Sequence, residues 1–436
     1  MSPAPRTSFG ASESTRLHTP PLLTGRIAEL LAGKKIAMTG VTGFIGEQML
    51  WKFLTECPDT TTAVLVRRKG SLSATQRVAS LLKKKKIFKD LVAGAGSVEK
   101  LMADRIEVIE GDLPDAPELP RDIDVLVHCA GDVSFDPPID AAFKTNVLGV
   151  KALLRRFRES CSDENGNLVR VPHYVHISTA YTAGRRRGPI PEAAHPHEVD
   201  YEAETRAALA MTDLVEARSR TSEQLTALRK EAEKLHRRAG YLTTSEDTER
   251  RRLEWVKQEL VAAGTERARS LGWTDVYTFA KAMGEAVVAD LCRDMQVSIV
   301  RPAIVESSLK YPHPGWIEGF KMADPIILAY GRGQLPEFPA SPDAVIDIIP
   351  CDYVVNTIVA VCATQPKVGE PEFYHCSSGA RNPLTFRGIY EHIRSYFSRH
   401  PYRDGQGSHQ LATWNFPGPE PVERKLWFAE KGVAIG

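Results

Sequence analysis

KIAMTGVTGFIG, residues 35–46, is an apolar run of strand length that ends in three glycines, Gly40, Gly43 and Gly46, ahead of the helical pattern GEQMLWKFLTE. A buried strand followed by such a turn lets the backbone approach a pyrophosphate, and a helix N-terminus favours its negative charge. The spacing predicts a dinucleotide cradle, with Thr42, Phe44 and Ile45 filling the turn and the first helical residues.

Working outward, TTAVLVRR, RIEVIEGDL, DVLVHCAG and HYVHISTAY are further short β-rich runs, with TQRVASLLKKKKIFKDLV and NVLGVKALLRRFRES reading as helices between them. Strands alternating with helices predict an α/β protein with a Rossmann-type, doubly wound parallel sheet. The expected organisation is a flexible tail over 1–22, an NADPH-binding domain over 23–197 and 271–306, and a helical insertion over 198–270. A smaller C-terminal substrate lobe spans 307–436, with 345–378 returning to the core sheet. Within the insertion, TSEQLTALRKEAEKLHRRAG and TERRRLEWVKQELVAAG read as two amphipathic helices separated by YLTTSED. Beyond Ser307, PHPGWIEGF and GRGQLPEFP suit a lobe that closes over a substrate.

An NAD site usually places an acid on the ribose at the end of the second strand, whereas here VLV ends in Arg67 and Arg68. Two guanidiniums suit a 2′-phosphate, so NADPH is the expected cofactor. Asp112 and Leu113 after the third strand are expected at the adenine, and Ala130 and Gly131 after the fourth at the adenosine side. Asn146, expected to open the next helix, and Pro302 in RPAIVE complete the cofactor contacts.

Tyr277 and Lys281 in YTFAK are four positions apart, which puts both on one helix face. A phenol needs a nearby cation to become a useful acid at neutral pH, and the ammonium is placed to supply it. HISTAY adds Ser178 and Thr179, either of which can bond a developing oxyanion. Thr179 is assigned the direct contact and Ser178 the holding of the strand end, with the reverse assignment open.

With 56 basic and 55 acidic residues the chain carries a formal charge of +1, which does not point to nucleic acid. Its seven scattered cysteines form no CxxC pair, so neither a disulfide framework nor a zinc site is expected, and a reduced, cytoplasmic compartment fits. His195 and His197 read as loop residues, and no metal is expected. Lys83–Lys86 reads as a solvated helix face that coenzyme A phosphates or anionic lipid could also meet. No run reaches the roughly 20 apolar residues of a spanning helix, so the expectation is a soluble or membrane-peripheral protein.

TGVTGFIG, HCAGDVSF, NVLGV, HISTAY, YTFAK and RPAIVE together resemble the extended short-chain dehydrogenase/reductase superfamily. PGWIEGF, DIIPCDYVVN and FYHCSSGARNPLTF narrow the resemblance to the fatty acyl-coenzyme A reductases, over about residues 34–390. The resemblance implies that Gly40, Gly43 and Gly46 form the nucleotide loop, Thr179 supplies the catalytic hydroxyl and Tyr277 the acid, and Lys281 activates Tyr277 and holds the nicotinamide ribose. It also implies reduction of a long-chain acyl thioester, on coenzyme A or an acyl carrier protein, to an aldehyde or alcohol. Two departures stand out. Tyr277 follows Thr179 by 98 positions because of the insertion, and the chain ends soon after NPLTF, where many members carry a further domain. The rival expectations are a dehydrogenase or epimerase acting on a sugar nucleotide or sterol, and a non-catalytic NADPH-binding scaffold. Oligomeric state is not legible.

Overall fold

β1 (Lys35–Thr39) buries every residue after its first lysine, because it runs through the middle of a sheet covered on both faces. A computed structural model of the chain describes residues 26–134, 136–235, 241–320, 323–338, 340–404, 407–408 and 410–416. The expected tail, 1–22, lies outside the described residues. After α1 (Ile27–Leu31) and β1 come α2 (Phe44–Glu56), β2 (Thr61–Val66), β3 (Ile106–Glu110), β4 (Val125–His128), β5 (His173–Ile177) and β6 (Gln296–Pro302). A seventh strand, Glu372–Cys376, completes the sheet, whose order is Glu372–Cys376, β6, β5, β4, β1, β2, β3. All six pairings are parallel. The sheet is the Rossmann-type, doubly wound arrangement that the alternating pattern predicts.

Strand order reverses between β1 and β4, and ligands of such sheets bind in the crevice at that switch point. One face is covered by α2 and the helix Cys351–Cys362, which pack over Ile36, Met38, Val64 and Val125. The other is covered by the helices Gly149–Ser160 and Val276–Leu291, over Ala37, Leu126, Tyr174 and Ile299. Ile36 and Met38 are wholly buried, and each such side chain contributes about 1.5–3 kcal/mol. Tyr330, Tyr390, Phe397 and Trp414 form a separate aromatic cluster in the C-terminal part.

The insertion holds three described helices, Tyr201–Ser219, Ser222–Leu235 and Tyr241–Ser270, where the sequence suggests two with a linker at 241–247. YLTTSED is helical because its polar side chains bond along the helix instead of capping it. Thr248 Oγ1 donates to the Thr244 carbonyl at 2.7 Å, and Asp247 accepts from Arg251 Nε at 2.8 Å. Buried Arg252 ties the first and third of these helices through Glu216 at 2.6 Å. The long helix reaches the core at Gly264, where a Cβ would stand 2.8 Å from Val276 and 2.9 Å from Ile139. That contact seats the insertion against the start of the helix that carries Tyr277.

Asn146 does not open its helix. The helical run begins at Ile139, and Asn146 sits in a π-helical turn, Lys144–Leu148, between two α segments. Such turns recur at functional sites. Among the described residues no helix is long and apolar enough to cross a membrane.

Candidate active site

Gly40, at the end of β1, has φ +80° and a Cβ there would lie 2.8 Å from the Ala130 nitrogen. At Gly46 a Cβ would meet the Gly40 carbonyl at 2.0 Å, so only glycine lets α2 begin this close to the turn. Gly43 is the N-cap of α2 and offers no side-chain cap, which leaves the first N–H groups of the helix available to an anion. Thr42 is exposed beside them, Ile45 is half-buried, and Phe44 stacks on Trp316 with ring centroids 5.2 Å apart. Across the switch point the end of β4 is tied to β1. Thr39 Oγ1 accepts from the Cys129 and Ala130 nitrogens at 3.1 and 3.0 Å and stands 2.9 Å from His128 Nδ1. Uncapped helix N-terminus, glycine-floored turn and facing β4 end together fit a dinucleotide pyrophosphate.

Gly131 lies under Asn146, whose Oδ1 a Cβ at 131 would approach to 2.8 Å. Asn146 is clamped to Asp132, accepting from its nitrogen and donating to its carbonyl, both at 3.0 Å. Gly284 in the helix Val276–Leu291 packs on the Asn146 carbonyl, which a Cβ would meet at 2.6 Å. The π turn therefore sets how closely the helix that carries Tyr277 approaches the crevice at the switch point.

Arg67 and Arg68 are exposed at the end of β2, but they are not without carboxylates. Arg67 stands 3.7 Å from Asp112 and Arg68 3.3 Å from Glu110, both from the end of β3. The parallel pairing of β2 with β3 brings these acids alongside, which reading β2 alone could not show. Exposed pairs of this kind contribute little and yield easily to a stronger anion. Asp112 also accepts from the Leu113 nitrogen at 2.9 Å, and the Leu113 side chain is buried.

Thr179 follows β5, buried, its Oγ1 donating to the Pro302 carbonyl at 3.4 Å and bonded to Tyr277. The structure thus brings Thr179, Tyr277 and Pro302 together. Ser178, its neighbour, meets a different residue of the helix that carries Tyr277. Its hydroxyl donates to Glu285, and its nitrogen to the Val300 carbonyl at 2.7 Å. Lys281 is buried one turn after Tyr277, with Nζ donating to the Ile177 carbonyl at 2.6 Å. Burial pushes the Lys281 ammonium down to about 8 and the Tyr277 phenol up to about 12. The phenol is therefore a held proton at neutral pH. The expected lowering of its pKa by the ammonium gives way to desolvation.

Two residues that the sequence reading passed over organise this site. Glu285 lies one turn beyond Lys281 and accepts both guanidinium edges of Arg301, Nε at 3.0 Å and the terminal nitrogen at 2.6 Å. Arg301 is wholly buried, and its other nitrogen donates to the Ala193 carbonyl at 2.7 Å and faces His195 Nε2 at 3.1 Å. The signal was present: Arg301 is a lone charge in the apolar stretch VSIVRPAIV, and Glu285 repeats the Tyr277–Lys281 spacing. His195 meets this cation and His197 packs edge-on against Trp273; among the described residues no three metal-ligating side chains cluster. Lys85 of the lysine run pairs with Glu47 and Glu318 at 3.1 and 2.7 Å.

The model of a NAD-binding family described as male sterility protein matches residues 38–358. The chain is 31% identical over 398 residues to the chloroplastic fatty acyl-CoA reductase 2 of Arabidopsis thaliana, covering 87% of this chain and 60% of that protein. It is 30% identical over 395 residues to the alcohol-forming fatty acyl-CoA reductase of Simmondsia chinensis, covering 87% of this chain and 73% of that protein. Among solved structures, the terminal R domain from the myxalamid PKS-NRPS biosynthetic pathway superposes with a TM-score of 0.53 at 17% identity, covering 92% of this chain and 76% of that one. That likeness is one of fold.

Proposed function

The chain belongs to the fatty acyl-CoA reductase family, whose model is described as male sterility protein, within the extended short-chain dehydrogenase/reductase superfamily, and from that membership we propose that it reduces a long-chain fatty acyl thioester with NADPH. The observation that carries the reading is the pairing of buried Thr179 with half-buried Tyr277, one helical turn from buried Lys281.

Gly40, Gly43 and Gly46 with the first N–H groups of α2 would hold the pyrophosphate, and Asp112 and Leu113 would face the adenine. Ala130, Gly131 and Asn146 would line the adenosine side, and Pro302 and Lys281 the nicotinamide end. A bound NADPH supplies the hydride. The chain's own part is to receive the charge that develops on the thioester oxygen. Thr179 and Tyr277 present two hydroxyls to that oxygen, and donors fixed in advance in a buried site stabilise a transition state by several kcal/mol. Tyr277 then passes its proton to the oxygen, and the Lys281 ammonium offsets the phenolate left behind. Collapse of the hemithioacetal releases the thiol and an aldehyde, which a second round takes to the alcohol.

Incubating the protein with NADPH and palmitoyl-coenzyme A and counting NADPH consumed per thiol released tests the reading. One per thiol identifies an aldehyde product and two an alcohol. No released thiol overturns it. NADPH preference has its own test. The double variant R67A/R68A should raise the KM for NADPH about ten-fold or more, since charge-assisted bonds to a phosphate are each worth about 1.5–3 kcal/mol. The KM for NADH should stay within about two-fold, and equal changes for both cofactors would remove these arginines from the 2′-phosphate.

A further inference from the structure

Immediately after the catalytic strand end, the sequence GRRRG places Arg185, Arg186 and Arg187 on the surface, all three exposed. Among the described residues no acidic side chain pairs with any of them. The loop that carries them is built and pinned at several points. The Arg185 nitrogen donates to the Gly272 carbonyl at 3.0 Å, and Arg186 donates to the Pro196 carbonyl at 2.7 Å. Farther along, the buried Arg301 holds the Ala193 carbonyl at 2.7 Å.

The backbone at Arg185 is tied near both hydroxyls. Six residues, four of them in the tight turn Ala180–Ala183, keep Arg185 within roughly 20 Å of Thr179. On the other side, Gly272 stands five residues before Tyr277. Beside the loop is a cavity of about 280 Å³ lined by Arg185, Arg186, His195, His197 and Trp273. His195 Nδ1 has no hydrogen-bond partner there among the described residues. After burial itself, the positive field of Arg301 and Arg186 helps hold His195 down at about 4.

An unneutralised cation cluster on a pinned loop, within roughly 20 Å of the Thr179 hydroxyl by chain length, suits the charged end of a carrier. We propose that Arg185, which lines this cavity, and the exposed Arg187 two residues on seat the phosphates of a coenzyme A thioester while its acyl carbonyl lies at Thr179 and Tyr277. The proposal rests on the acyl thioester reading above and adds to it the group that is recognised. Arg186 is the loop's own brace, because its side chain is spent on Pro196.

The test uses the full chain and R185Q/R187Q, which keeps that brace. Titrating free coenzyme A by calorimetry should give a Kd about ten-fold weaker in the variant, the loss expected for removing charge-assisted phosphate bonds. The KM for palmitoyl-coenzyme A should rise by a similar factor. For palmitoyl-pantetheine, which has no phosphates, it should change less than about two-fold. Added salt should weaken coenzyme A binding more in the unaltered protein than in the variant. Equal losses with both thioesters, or an unchanged Kd for coenzyme A, overturns the proposal. Arginine-dependent binding without thiol release would leave the seat standing and remove the reductase reading. Thiol release that is indifferent to the two arginines would do the opposite.

Discussion

Tyr277→Phe is expected to lower turnover of a fatty acyl thioester by about a hundred- to ten-thousand-fold, the usual contribution of a positioned proton donor. The substitution removes one oxygen and keeps the ring, so folding and cofactor affinity should stay close to those of the unaltered chain. What disappears is the hydroxyl that Thr179 bonds and the proton that burial keeps on the phenol up to about pH 12. The same site predicts a pH profile. Lys281 is charged only below about 8, because burial lowers its pKa from the ordinary lysine value. The ammonium is needed to offset the phenolate, so kcat should be highest below pH 8 and fall as pH rises through it. Lys281→Met should have a low, flat profile over that range. If Tyr277→Phe retained more than a tenth of the rate, or if the rate climbed through pH 8, the assignment of acid and activator would fail.

How much of this was legible follows from where each signal is stored. The nucleotide loop could be read because its causes are local: an apolar strand, three glycines and a helix start lie within twelve residues, and the structure shows why a Cβ at Gly40 or Gly46 would not fit. Tyr277 and Lys281 were legible for the same reason, since helical periodicity alone puts them on one face. The roles of Ser178 and Thr179 were not. Adjacent hydroxyls look alike in sequence, and what separates them is the partner each meets along one helix, Glu285 for Ser178 and Tyr277 for Thr179. The carboxylates beside Arg67 and Arg68 were hidden because they come from β3, a strand whose register no local pattern fixes. The insertion misled in a third way. Thr and Ser in YLTTSED look like caps, and only the internal bonds of Thr248 and Asp247 reveal an unbroken helix. Local chemistry was readable, and chemistry assembled across strands was not.

Arg301→Met is expected to cost about 3–5 kcal/mol of stability, because it removes one partner of a buried ion pair and leaves the other uncompensated. Arg301 is wholly buried, and its guanidinium is the only cation bonded to Glu285 among the described residues. Without it, the carboxylate keeps only the hydroxyls of Ser178 and Thr182. A domain of ordinary stability has about 5–15 kcal/mol in total, so thermal unfolding should shift down by many degrees. Glu285→Leu alone should cost a similar amount. The double variant R301M/E285L should recover much of either loss, since replacing both charges by apolar groups of similar volume is often close to neutral. Activity separates fastening from mere bulk. The pair joins the helix that carries Tyr277, the strand end beside Thr179 and the loop at Ala193. A stable double variant should therefore still show a lowered kcat with little change in KM, because Ser178 has lost the acceptor that fixes its neighbour. If R301M/E285L regained full stability and full kcat together, the pair would be shown to fill space and nothing more. If each single variant were as stable as the parent, the interior would be less dry than the full burial of Arg301 implies.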